Sequence, residues 1–231
     1  MDETNVPPPI PPEPGSAVTT TTRTGLPWEN REALGLVKAF TDTLMMVLTK
    51  PGDAFASMRH AGGFGGPLLY AVIGGVAGFL IYFLYMFAFP SLGAIGGGEN
   101  ALAGLLVGTG FFVVVILSPI FIVVGLFIWS AILHLCLMLV GGAKQPFETT
   151  FRVVSFSAGS TYPLLIIPLC GGFISGIWNI VAQCIGISRA HEVTTGKAVL
   201  AVLLPLIVCC GGSFALAIIF GVAGALSTGA N

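Results

Sequence analysis

The sequence predicts an all-α integral membrane protein, a five-span helical bundle preceded by a cytoplasmic N-terminal amphipathic helix. Three observations carry this. Hydrophobic residues make up 55% of the 231 and charged residues 8%, against roughly 25% charged in soluble domains, so apolar surface must face lipid as well as protein. The nine Lys and Arg residues fall in only three places: from Arg23 to Arg59, at Lys144 and Arg152, and at Arg189 and Lys197. Between them lie apolar stretches long enough for spans of about 20 residues. Cations are costly in hydrocarbon and short loops that carry them stay cytoplasmic, so their positions map the threading.

Residues 1–27 combine prolines with TTTTRT and almost nothing large and apolar, the composition of a disordered tail. It holds PxxP spacings such as Pro8 to Pro11, a ligand pattern for aromatic grooves that is also ordinary in a solvated tail. With acidic residues and prolines at the start, no cleaved signal is expected. Residues 28–60 read as cytoplasmic interfacial helices. From Trp28 to Thr49, Leu34, Val37, Phe40, Thr41, Leu44, Val47 and Leu48 recur every three or four positions, which predicts one amphipathic helix with Trp28 as an interfacial anchor. Pro51-Gly52-Asp53 stops it, and Asp53 caps a second short helix through Arg59. Residues 61–66 form a Gly-rich hinge. The membrane domain covers 67–226, with spans at about 68–89, 111–140, 151–169, 171–187 and 198–226.

The second of these spans admits two threadings, because Pro119 interrupts the apolar stretch from residue 101 to 140. Two spans turning at the proline would move the Lys144/Arg152 and Arg189/Lys197 loops outside. One long kinked span keeps all nine cations cytoplasmic and the C-terminus outside, and it is the threading adopted; whether residues 101–120 belong to that span or form a re-entrant segment stays open.

Small residues at four-residue spacing, Gly74 with Gly78, Gly104 with Gly108 and Gly172 with Gly176, mark faces where helix backbones approach closely, within the bundle or between copies. His134 is the ionisable side chain placed inside a span. It joins Ser157, Ser160 and Thr161 of the third span and Asn179 and Gln183 of the fourth in a candidate intramembrane polar cluster, whose alternatives are interhelical hydrogen bonding and a transport path. The five cysteines sit in apolar runs without ligand spacing, so neither a disulfide framework nor a metal site is expected. No GxSxG, HExxH or carboxylate pair is present, so no catalytic residue or cofactor is assigned and an enzyme is not expected. A net charge of -1 gives no footprint for nucleic acid.

The order of features is more specific than hydropathy. PWENRE and KPGDAF near the N-terminus are followed by His134 in AILHLCLMLVGG, then PFETTFRVVSFS, PLLIIP and CIGISRAHEVTTGKAVLAVLLP. In this the chain resembles the Yip family of small polytopic membrane proteins, and its prokaryotic branch in particular, from about Trp28 through the last span. The resemblance implies five spans, a cytoplasmic N-terminus and, in eukaryotic relatives, membrane traffic through Rab-type GTPases at Golgi and endoplasmic-reticulum membranes. Short loops and the lack of an Asn-x-Ser/Thr sequon favour a bacterial plasma membrane over those. The expected role is a non-enzymatic organiser or scaffold in the bilayer, assembling with itself or other membrane proteins; the alternative is a small-solute transporter or lipid-translocating protein. A GTPase partner is implied by family analogy alone.

Overall fold

The computed structural model describes residues 23–94 and 101–208, with side chains described over 23–86 and 113–208. Residues 1–22, the Glu99 loop, the side-chain surroundings of Gly104 and Gly108, and the last span beyond Val208 lie outside them. Among the described residues every regular element is a helix. A 3-10 turn, Pro27–Asn30, leads into α1 (Arg31–Leu34), α2 (Leu36–Thr49) and α3 (Pro51–Ser57). Four longer elements follow: α4 (Gly65–Ala94), α5 (Ala101–Leu139), α6 (Phe147–Thr161) with its 3-10 extension Tyr162–Ile166, and α7 (Gly171–Ala190). The last, α8, is Thr195–Val208 over its described length.

Three described helices are long and apolar enough to cross a membrane, over Gly65–Met86, Val113–Leu139 and Gly171–Ala190. Pro119 lies inside α5 without ending it. Proline has no N–H for the carbonyl four residues back, and here Ser118 Oγ donates to that Val115 carbonyl at 2.8 Å. A second helix-ending signal, such as a glycine with left-handed backbone, is absent there, so the helix runs through.

The segment expected as a single span at 151–169 is two elements. Its helix α6 stops at Thr161 and a 3-10 turn takes over at Tyr162, because Pro163 cannot donate to the Gly159 carbonyl. The two pieces reach about 22 Å and about 10 Å, together close to the ~30 Å of a hydrocarbon core. From Thr149 to Thr161 every residue of α6 is buried, which explains a composition too polar for lipid contact. The helix is wrapped by α2, α4, α5 and α7.

Gly74 and Gly78 make the α4 side of this packing possible. A Cβ on Gly74 would lie 2.0 Å from the Gly159 carbonyl oxygen, and one on Gly78 would lie 2.1 Å from that of Tyr162. Gly172 and Gly176 have nothing within 4 Å of such a Cβ, so among the described residues that pair faces no neighbouring helix.

The expected helix over 28–49 is broken at Gly35, whose φ of 81° and ψ of 152° suit glycine alone. In α2 the buried stripe is Ala39, Thr43 and Val47, with Phe40 half-buried beside it, while Leu34 and Val37 point away from the bundle, Val37 at 78% exposure. The periodicity is right and the docking face is rotated from the one expected. Smaller side chains win it because α2 lies close against α6. Trp28 is no interfacial anchor: it is 1% exposed, donates its indole N–H to the Gly66 carbonyl at 2.7 Å, and packs on Phe40 and Tyr70.

Candidate functional site

Arg152 ties the N-terminal segment to the bundle. Carried on α6 and 3% exposed, it donates Nε to the Arg59 carbonyl at 2.9 Å and Nη1 to the Gly63 carbonyl at 3.0 Å. It is ion-paired with Glu29, which is 4% exposed, and with Glu148 at 3.3 Å. Glu29 in turn accepts from the Leu26 N–H at 2.6 Å and the Arg59 N–H at 3.2 Å. Glu148 accepts from the Gly63 N–H at 2.7 Å, so the Gly-rich hinge is pinned from both sides. A buried charge pair is tolerable when most of its remaining donors and acceptors are filled, and here four of the five guanidinium N–H groups are engaged. The sequence reading placed Arg152 in a loop; the signal it passed over is the Glu148–Arg152 spacing, four residues apart on one helix face.

Close by, all three histidines of the chain gather from α5, the segment after α3 and the end of α7. His134 Nδ1 lies 2.8 Å from Thr150 Oγ1, and Thr150 Oγ1 lies 2.9 Å from His191 Nε2. The Gln145 backbone N–H reaches His191 Nδ1 at 3.2 Å. A backbone N–H only donates, so Nδ1 of His191 is an acceptor and the proton sits on Nε2. His191 therefore donates to Thr150, whose hydroxyl also bonds His134 Nδ1. Burial, with the imidazoles of His134 and His60 adding to it, holds the His191 pKa down to about 4. Burial and then Arg23 lower that of His60.

Deeper in the bundle, Trp129 Nε1 donates to Gln183 Oε1 at 2.9 Å, and Gln183 Nε2 donates to Asn179 Oδ1 at 3.0 Å. This ladder edges a cavity of about 420 Å³ whose walls include Phe79, Phe121, Ile122 and Tyr162. The expected cluster is thus divided. Asn179 and Gln183 are joined; His134 belongs to the histidine chain; Ser160 Oγ pairs with Tyr70 Oη at 2.7 Å; Ser157 Oγ, buried, has no hydrogen-bond partner among the described residues. Thr150, His191 and Trp129 were not singled out from sequence, since hydrophobic periodicity does not say which polar side chains distant in the chain will meet.

Among the described residues no group of three or more His, Cys, Asp and Glu is arranged to hold a metal ion. The architecture defines a multi-pass, all-helical membrane protein with its polar side chains turned inward. The family model of the Yip1 domain matches residues 45–223, well over half of the chain, and the protein belongs to that family. No curated protein matches the chain, and no solved structure does.

Proposed function

We propose that the protein is a non-enzymatic membrane organiser of the Yip type, whose N-terminal segment is held on the bundle so that one face of α2 enters the cytoplasmic leaflet. The observation that carries this is the buried Arg152–Glu29 pair, which makes residues 23–63 part of the bundle instead of a loose appendage. So held, α2 is divided lengthwise. Ala39, Thr43 and Val47 face the bundle, Leu36, Val37 and Met45 are exposed and apolar, and the Lys38–Asp42 pair at 2.6 Å occupies the remaining edge. A helix with one apolar face on protein, a second outward and a polar edge fits a protein, lipid and water boundary.

The transport reading draws less support. The side chains expected to line a path largely hydrogen-bond to other protein side chains, and the cavity that Asn179 and Gln183 border is mostly apolar. Five spans, a cytoplasmic N-terminus, an outside C-terminus and a bacterial plasma membrane belong to the same proposal, with other membrane proteins or further copies as partners and a GTPase by family analogy.

Reconstitution tests it. Proteoliposomes of the wild type should be narrower by electron cryomicroscopy than protein-free vesicles, and Val37→Glu with Met45→Glu should abolish the difference while α2 keeps its protease protection. Unchanged vesicle dimensions together with dissipation of a solute gradient by the purified protein would replace the organiser with a transporter.

A further inference from the structure

The Trp129–Gln183–Asn179 ladder has a fixed polarity. An indole N–H only donates, so the oxygen of Gln183 must face Trp129 and its amide nitrogen must face Asn179. That nitrogen donates to Asn179 Oδ1, which turns the Asn179 amide group around: its Nδ2, with two N–H donors, has no protein acceptor among the described residues. Asn179 itself borders the cavity of about 420 Å³. An unpaired amide donor is costly in an apolar site and comparatively cheap when an acceptor fills it.

The depth and the walls restrict what the acceptor can be. Asn179 lies eight residues into α7 (Gly171–Ala190), about 12 Å from one end and roughly 16 Å from the other. Among the described residues no Lys, Arg, Asp or Glu borders the cavity, and Phe79, Phe83, Phe121, Trp129 and Tyr162 line much of it. A phosphate or a zwitterionic headgroup brought to that depth would lose its hydration with no counter-charge. Water alone would wet a mostly apolar volume poorly. We propose that this cavity is a binding site for a neutral lipid whose head carries a carbonyl oxygen that accepts from the Asn179 Nδ2 donors, with its apolar remainder against the aromatic walls. This site does not depend on the organising role. Glycerol esters such as diacylglycerol and isoprenoid quinones share the required chemistry.

Trp129 supplies the readout, since it stands in the cavity wall. The background is Trp178→Phe; Trp28, enclosed at 1% exposure, contributes a constant signal. Full-length protein in nanodiscs is titrated with dibrominated diacylglycerol, with a short-chain ubiquinone, with dibrominated phosphatidylcholine and with a dibrominated alkane, all of which quench indole emission on contact. Saturable quenching near one ligand per protein is expected from one of the first two, and which of them quenches identifies the source. Asn179→Leu should weaken that binding at least tenfold. Gly125→Leu, at a cavity-lining position where an added Cβ meets nothing within 4 Å, should abolish it by filling the space. Gly125→Leu should keep the wild-type thermal midpoint, and Asn179→Leu, which takes the acceptor from Gln183 Nε2, should stay folded with a modestly lower one. Equal quenching by phosphatidylcholine or the alkane, no saturable quenching by any probe, or neutral-lipid quenching unchanged in both variants would overturn the proposal.

Discussion

Arg152 and Glu29 are 123 residues apart, and a close ion pair between them, almost wholly removed from solvent, decides where the N-terminal segment sits. Removing Arg152 leaves Glu29 buried with its charge unmet, at a cost on the order of 3–5 kcal/mol, and removing Glu29 leaves Arg152 with only the longer pair to Glu148. Arg152→Met or Glu29→Ala alone should therefore lower the thermal midpoint and free residues 23–60 to protease, whereas the double variant should recover part of the loss. Equal and additive losses in a double-mutant cycle would show that the pair does not act as a unit. His191 makes a second residue-scale claim. With a folded pKa near 4 and an ordinary value of about 6.5, the unfolded chain binds a proton between those limits that the folded chain refuses. Stability is complete above about pH 6.5, declines as pH falls toward about 4 and is level below it, by on the order of 3 kcal/mol. Thermal midpoints in detergent from pH 7.5 to 4 should show this slope, and His191→Asn, whose Oδ1 can still accept from Gln145 N–H, should flatten it. Sequence made His134, Asn179 and Gln183 visible as polar groups within apolar runs. It did not reveal their partners, because Thr150, His191 and Trp129 are brought to them by helix packing.

Helix boundaries were legible where proline or glycine acts locally and less so where packing chooses a face. The stop at Pro51 was anticipated, with Lys50 in place of Asp53 at the cap of α3, and α5 runs as one helix from Ala101 through Pro119, where a re-entrant segment had stayed open. The rotation of α2 was not: an apolar stripe signals burial without saying whether protein or lipid covers it, and Val37 and Ala39 lie on different sides of one helix. The small-residue pairs separate in the same way. Gly74 and Gly78 receive the α6 backbone, and Gly172 and Gly176 do not receive any described helix. Gly74→Leu should thus push α4 from α6 and lower the thermal midpoint by 10 °C or more, in line with overpacking costs of several kcal/mol in a tight interface. Gly176→Leu should leave the fold as it is. Equal tolerance at both positions would mean that the α4–α6 approach can be relaxed at little cost.

At the scale of the whole molecule, class and family followed from composition and motif order, while the number of crossings depends on α6 and α8. A span that is hidden from lipid on all sides can be rich in Ser, Thr and Gly, so hydropathy understates it; α6 is buried from Thr149 to Thr161, and with its 3-10 extension it is long enough for the one crossing the proposal gives it. The cation positions support the same count. Lys144 reaches the Glu192 carbonyl at 3.0 Å and Lys197 the Gly141 carbonyl at 3.2 Å, so the α5–α6 and α7–α8 connections meet at one end of the bundle. Arg23 adds the N-terminal segment there, bonding the Phe55 carbonyl at 2.9 Å and the Arg189 carbonyl at 3.2 Å. With these basic connections at one end, the proposed threading puts that end in the cytoplasm, in keeping with the positive-inside bias. Single cysteines at Lys144 and Arg189, introduced into a chain lacking its five native thiols, should react with an impermeant maleimide only after the cytoplasmic face is opened, and one at Ser227 should react in intact cells. If α8 turned back before crossing, Ser227 would label from the cytoplasm with the other two, and the bundle would have four spans in place of five.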